Sequence, residues 1–464
     1  MKYSPKGTIG MTNFAYQTAA NLARNLRKQT IDPVDLALWT LEAIKTGDDQ
    51  AIFTQILIDR ALAEAKAARR RLRAGKPLSP LDGVPIGWKD LFDIEGRTTT
   101  AGSVILKDTP AAKRDAALVA AAKRAGLVTV GCLNMTEFAY SGIGLNPHYG
   151  TPRNPFGKDA ARVPGGSSSG SAVAVAKGLL PIAIGTDTGG SIRIPASFNG
   201  LAGYKSSTGH YPMQGVFPLS PTLDSLGPLA HTVEDCILAD AVLRGLQRAS
   251  IRPRSPKGLR IIVPRNIVFD SCETDVADNF ETALRRLARA GAKIERLAVT
   301  AFDDIMTLFA AKGTILGAEA LFVHWDRVHG PEVKRMDPRV SRRILLAEEM
   351  TAVDLVHILQ ARRRLIAETT ALIGDAFVAF PTTPHVAMET APLEADQEVF
   401  FRANAKTLRN ATLGNFLDWC GVSMPSGTDA QGMPTGFLLS APHGSDRHLL
   451  AAAWGMEKLV RPNP

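Results

Sequence analysis

VPGGSSSGSA at residues 163–172 and GTDTGGSIRIPA at residues 185–196 decide how this chain reads. Each places a serine directly after a Gly-Gly pair. Between 165 and 203 the chain holds nine glycines and a serine cluster around the apolar stretch AVAVAKGLLPIAIG. Glycine at this density marks tight turns, or backbone that approaches a ligand. The pattern predicts a helix over about 170–178 and a strand over about 180–184.

Two Gly/Ser turns are the plain alternative to a functional reading of these segments. A phosphate-binding loop requires GxxxxGK[ST] before a helix, and neither segment holds that lysine. A hydrolase elbow requires GxSxG after a buried strand. Gly166 to Gly170 fits the letters, with Ser168 at its centre, but the preceding FGKDAARVPG is polar and broken by proline. No SxxK occurs in the chain. One further reading accounts for both segments. The small residues of 187–191 let successive backbone N–H groups converge as an oxyanion hole, with Ser191 at its rim as nucleophile. A serine needs a base, and the nearest histidines, His148 and His210, sit in no triad context. A lysine held neutral serves instead.

With VPIGWKDLFDI (84–94), which carries Gly-Trp-Lys-Asp, these motifs together resemble the amidase signature family. The resemblance covers roughly residues 15–460, and Ser167 and Ser191 stand 24 residues apart, as in that family. It implies Ser191 as nucleophile, Ser167 as a bridging serine after a cis peptide bond, and Lys89 as general base. Thr188, Gly189 and Gly190, with Ser191, are the implied oxyanion donors. Asp187 and Arg193 are expected to hold the loop's shape. Trp88 stands where many relatives have a smaller aliphatic residue. Lys89 works as a base only if burial depresses its amine from the ordinary value of about 10.4. Trp88, Leu91 and Phe92 are the expected apolar surroundings, and Asp90 and Asp93 are expected to point elsewhere.

The same resemblance implies one α/β domain with a central mixed twisted sheet of about eleven strands, flanked by helices. Along the chain this gives a helical part (about 10–75), a signature core (about 80–205) and a C-terminal part (about 206–464). The residues themselves show helix, Gly stop, β-branched strand at 115–133 and at 277–299, which is α/β grammar. Residues 13–74 read as helices, with Thr30 or Asp32 capping the second, and FVAFPTTP (377–384) reads as a strand. RASIRPRSPKG (248–258) reads as an exposed connection.

The implied function is hydrolysis of a C–N bond in a small aryl or alkyl amide through an acyl-enzyme, with carbamate (urethane), anilide and ester bonds in the same chemistry. Phe138, Tyr140 and Ile143, with Phe416 and Trp419, are the expected pocket residues. One alternative is the glutaminase (A) subunit of a tRNA-dependent amidotransferase. Arg409-Asn410-Ala411-Thr412 lacks the aspartate expected there, while Arg363 aligns loosely with the pocket arginine. A non-catalytic binding protein of the same fold is the other, opposed by the intact Lys89, Ser167 and Ser191.

The 464 residues are 45% hydrophobic and 21% charged, which excludes a disordered or coiled-coil chain. The net charge of +9 raises nucleic-acid binding. The basic runs KAARRRLRAGK (66–76), RRLARAGAK (285–293) and ARRRL (361–365), however, carry helical spacing and no aromatics, so they read as wet helix faces. The four scattered cysteines predict reduced thiols, not a disulfide framework. No run of 18 apolar residues and no leader-like N-terminus occurs. A cytoplasmic monomer or homodimer is expected, with no membrane, nucleic acid, metal or cofactor. Of the histidines, only His324 and His329 are paired on one probable helix.

Overall fold

The computed structural model describes residues 13–246 and 250–461. Residues 1–12 of the N-terminus expected to hold no leader, and 248–249 of the expected connection, lie outside the described residues. One sheet of eleven strands organises the molecule. In chain order these are β1 (Phe53–Ile56), β2 (Pro85–Lys89), β3 (Val128–Leu133), β4 (Ile182–Asp187), β5 (Ala202–Lys205), β6 (Ser225–Ala230), β7 (Arg260–Pro264), β8 (Lys293–Leu297), β9 (Phe377–Pro381), β10 (Cys420–Thr428) and β11 (Pro434–Ala441). Across the sheet they run β1-β3-β2-β4-β6-β5-β10-β11-β9-β7-β8. The pairs β2/β3, β2/β4, β7/β8 and β7/β9 are parallel and the rest antiparallel, so the sheet is mixed as expected.

The expected strands at 127–133 and 377–384 are β3 and β9, and that at 180–184 begins two residues later as β4. The expected helix near 170–178 is Ser169–Ala176. It is buried on all sides, which is why its sequence is small and apolar throughout rather than striped. Asp32, not Thr30, caps the helix Pro33–Thr46: its side chain accepts from Val34 N, with Pro33 in the first turn. The stretch 13–74 is not wholly helical, because β1 interrupts it. The three basic runs fall on the helices Ile58–Arg73, Thr274–Arg289 and Ala352–Ile373. Residues 251–258 are largely exposed, as a connection should be. The cysteines are free thiols, with Cys132, Cys236 and Cys420 buried. Among the described residues no single helix is long and apolar enough to cross a membrane.

Candidate active site

β2 and β4 are parallel neighbours, so their carboxyl ends open on the same edge of the sheet. Ligand sites in such sheets gather outside those ends. Lys89 ends β2, and Thr186 and Asp187 end β4. Lys89 is fully buried, and its Nζ donates to Ser167 Oγ at 2.6 Å and to Thr186 Oγ1 at 2.8 Å. Burial lowers the amine to about 7, against the opposing fields of Asp224 and Asp187. Asp90 and Asp93 are turned away as expected: they accept from Thr100 Oγ1 at 2.5 Å and from Thr99 Oγ1 at 2.7 Å. Trp88 is different. Alternation along β2 sends it to the face opposite Lys89, where its ring packs 5.3 Å from that of Phe92. It seals the far side of the strand rather than the amine.

The peptide bond Gly166–Ser167 is cis. Ser168 is buried, its N–H donating to Ser191 O at 3.3 Å and its Oγ to Thr186 O at 3.4 Å. No strand precedes it, so the elbow geometry is absent. Ser191 keeps 4% exposure, and its hydroxyl has no hydrogen-bond partner among the described residues, Ser167 included.

The loop carrying Ser191 is held by one carboxylate. Asp187 Oδ1 accepts from Gly190 N at 2.9 Å, from Arg193 Nη2 at 2.8 Å and from Asn415 Nδ2 at 2.9 Å. Its Oδ2 accepts from Ile192 N at 3.1 Å and Arg193 Nε at 3.0 Å. Burial alone raises a carboxyl, but the Arg193 guanidinium, Lys205 and Asn415 outweigh it and hold Asp187 well below the usual carboxylate range. This corrects the expected donor set. The Gly190 N–H is taken by Asp187, while those of Thr188, Gly189 and Ser191 have no protein acceptor among the described residues. Gly190 has φ +125°, and a Cβ there would lie 2.6 Å from Ile194 Cδ1, so only glycine fits.

Thr188 Oγ1 donates to Asp224 Oδ1 at 2.6 Å, and Leu219 N and Ser220 N donate to its Oδ2 at 2.9 and 3.1 Å. Burial pushes Asp224 up to about 6.

Beside Thr188 and Gly189 lies a cavity of about 260 Å³. Leu223, Met306, Phe309, Leu316, Leu408 and Phe416 make it apolar, and Arg343, Arg409, Thr412 and Asn415 add polar groups. Of the expected pocket residues, Phe416 lines it. Tyr140 stands behind the wall, its ring 4.2 Å from the Arg343 guanidinium carbon. Phe138, Ile143 and Trp419 are not on this wall: they pack in the interior, Phe138 on Phe217 at 5.8 Å and Trp419 on Phe302 at 5.9 Å. Arg363 is exposed on its helix and also absent from the wall. His324 and His329 do not act together. His324 is buried between Phe138 and Phe217, and His329 pairs with Glu348 on the surface at 2.5 Å.

Sequence reasoning missed Thr186, Asp224, Asn415 and Arg343. Thr186 lies inside the segment 185–196, whereas nothing local marks Asp224, Asn415 or Arg343.

The Amidase family model matches residues 36–450. The chain is 37% identical to a 2-amino-5-chloromuconic acid deaminase of Comamonas testosteroni, over 97% of each chain. It is 32% identical to one component chain of the glutamyl-tRNA(Gln) amidotransferase of Cupriavidus taiwanensis, over 94% of this chain and 95% of that one. A crystal structure of an amidase superposes with a TM-score of 0.83 at 28% identity, covering 95% of this chain and 99% of that chain.

Proposed function

The chain belongs to the amidase family, and from that premise we propose that it cleaves the C–N bond of a small amide through Ser191, Ser167 and Lys89. The observation that carries this reading is the buried Lys89 amine, lowered to about 7 and 2.6 Å from the Ser167 hydroxyl. Neutral Lys89 takes the Ser167 proton while Thr186 keeps the amine oriented. Ser167 in turn takes the Ser191 proton as Ser191 Oγ bonds to the substrate carbonyl carbon. The Ser191 hydroxyl rotates onto Ser167 when substrate is bound, since catalytic hydrogen bonds often tighten only in the complex. The N–H groups of Thr188, Gly189 and Ser191 take the oxyanion, each such donor being worth about 10²–10³ in rate. The proton returns through Ser167 to the leaving nitrogen, the C–N bond breaks, and an acyl-enzyme forms. Water, deprotonated by the same relay, then releases the acid.

The apolar cavity beside Gly189 suits small aryl or alkyl substituents, and carbamate and anilide bonds fall within the same acyl-transfer chemistry. No carboxylate lines that cavity, so the α-amino group of glutamine would find no counter-charge. This favours a stand-alone hydrolase over one component of an amidotransferase. A fluorophosphonate probe tests the assignment: labelling on Ser191, absent from Ser191→Ala, is expected. Labelling on Ser168, or none in a protein that hydrolyses p-nitroanilides or carbamates, would overturn it.

A further inference from the structure

A second cavity, of about 360 Å³, shares no residue with the one beside Gly189. Asp93 and Arg327 are the charged side chains on its wall. Asp93 follows the end of β2, and Arg327 stands on the helix Ile315–His329. Both are half-buried, and neither forms an ion pair among the described residues, with the other or with any third group. Asp93 Oδ1 accepts from Thr99 Oγ1 at 2.7 Å, and its Oδ2 has no protein donor among the described residues. Arg327 donates from Nη1 to Val323 O at 3.0 Å, and its Nε and Nη2 have no protein acceptor among them. The guanidinium carbon lies 6.0 Å from the centre of the Phe138 ring and 5.6 Å from that of Phe217, which holds the fork in place without balancing its charge. Burial, and after it this unbalanced charge, lower the neighbouring His324 imidazole to about 3.

The backbone fixes the rest of the wall. Asp93 N donates to Gly215 O at 2.8 Å, Ala116 N to Asp93 O at 2.7 Å, and Phe217 N to Leu91 O at 2.8 Å. Leu106, Pro110, Val216 and Phe217 make that wall apolar. A guanidinium fork is shaped for a carboxylate, and a carboxylate oxygen with open lone pairs accepts from an ammonium. Here a cation and an anion face one cavity, too far apart to pair, each with hydrogen-bonding capacity to spare. Such a pair fits a molecule that carries both charges itself. Groups held in place before binding also spare the ligand the cost of ordering them.

We propose that this cavity binds an apolar α-amino acid as its zwitterion, at a site apart from the cavity beside Gly189. Arg327 takes the carboxylate through Nε and Nη2, and Asp93 Oδ2 takes the ammonium. The ligand's side chain lies against Leu106, Val216 and Phe217. No bond is made or broken there, and the site does not rest on the function proposed above.

Calorimetry on the full chain tests this without any catalysis. L-leucine and L-phenylalanine are titrated beside two analogues of leucine that each lack one charge, 4-methylpentanoate and 3-methylbutylamine. At least one amino acid should bind with a Kd of about 1 mM or tighter. If leucine is the one that binds, each analogue should bind about tenfold more weakly or worse, because a site built for a polar group rejects a molecule lacking it. If phenylalanine is, the same holds for 3-phenylpropanoate and 2-phenylethylamine. Arg327→Gln and Asp93→Asn should each weaken the amino acid by about tenfold or more, and Arg327→Lys should recover part. Arg327→Gln should no longer distinguish the amino acid from its amine, and Asp93→Asn should no longer distinguish it from its carboxylate. Arg343→Gln, in the other cavity, should leave the affinity unchanged. Failure of both amino acids to bind the wild type overturns the proposal, as does an analogue that binds equally well, which needs no variant to fold. Binding that survives Arg327→Gln but is lost in Arg343→Gln would place the ligand beside Gly189 and overturn it too.

Discussion

A lysine amine inside a sheet core is tolerated when it gives up its proton, and Lys89 does so near pH 7. In the proposed relay the neutral form is the base, so kcat/KM should rise with pH along an acid limb centred near 7. Asp224 pulls the amine upward. Asp224→Asn should therefore move that limb to lower pH, by up to about one unit, in a pH profile of kcat/KM. A limb that stays put, or moves up, removes Lys89 from the titration. Lys89→Met fills the same buried space without a base. It should lose about 10³-fold or more in kcat, while two hydroxyls lose a partner at about 1–3 kcal/mol each. A folded Lys89→Met variant with near-wild-type turnover would refute the relay. The residues of the proposed relay were legible because each sits in a short run where glycine, serine and lysine have no better structural use. Asp224 and Asn415 were not legible. They meet Thr188 and Asp187 across 36 and 228 residues, and no local pattern announces such a contact.

The element that presents Ser191 is a turn clamped between the end of β4, the helix Arg193–Phe198 and the helix Gln397–Phe416. Asp187, the last residue of β4, receives donors from the turn and from both helices. Its carboxyl is held low, so this clamp contributes stability that is present above the unfolded value near 4 and lost as pH falls further. Arg193→Met leaves that carboxylate buried with only neutral donors. It should destabilise by about 3–5 kcal/mol at pH 7, with the deficit shrinking in acid as the carboxyl takes a proton. Arg193→Lys should recover part, since it keeps the charge but not the fork. Chemical denaturation at pH 7 and pH 4 reads both effects, and equal deficits at the two values would show that the guanidinium does not serve this carboxylate. The same scale explains why β1 went unread. Four half-buried residues, Phe53–Ile56, lie between helices and pair with β3 through a bulge, too short a span for alternation to emerge.

At the scale of the molecule, helix–Gly–strand grammar reveals an α/β protein but cannot order eleven strands. β6, β10 and β11 contain proline, glycine and serine, which read as turns, and they are strands because neighbours on both sides pair with them. Joints between helices are equally silent in sequence. Glu457, on the helix Asp446–Val460, accepts from Val233 N at 3.0 Å, at the start of the helix Val233–Leu243. Asp235, two residues on, accepts from Ala20 N at 2.8 Å, at the start of the helix Ala19–Arg27. Burial pushes Glu457 up to about 7 and Asp235 to about 6; Asp235 and Glu234 add to the rise at Glu457, and Arg461 opposes it. Carboxyls raised in this way keep protons that the unfolded chain has released. Their contribution is complete below the unfolded value near 4 and declines as pH rises toward 7, at about 1.4 kcal/mol per pH unit for one proton. Glu457→Gln keeps the acceptor for Val233 without the charge. It should be more stable than the wild type by about 1–3 kcal/mol at pH 8, and the gap should close by about pH 4, in denaturation midpoints measured across that range. A gap of constant size would mean that packing of the new side chain, not ionisation at this joint, sets the difference.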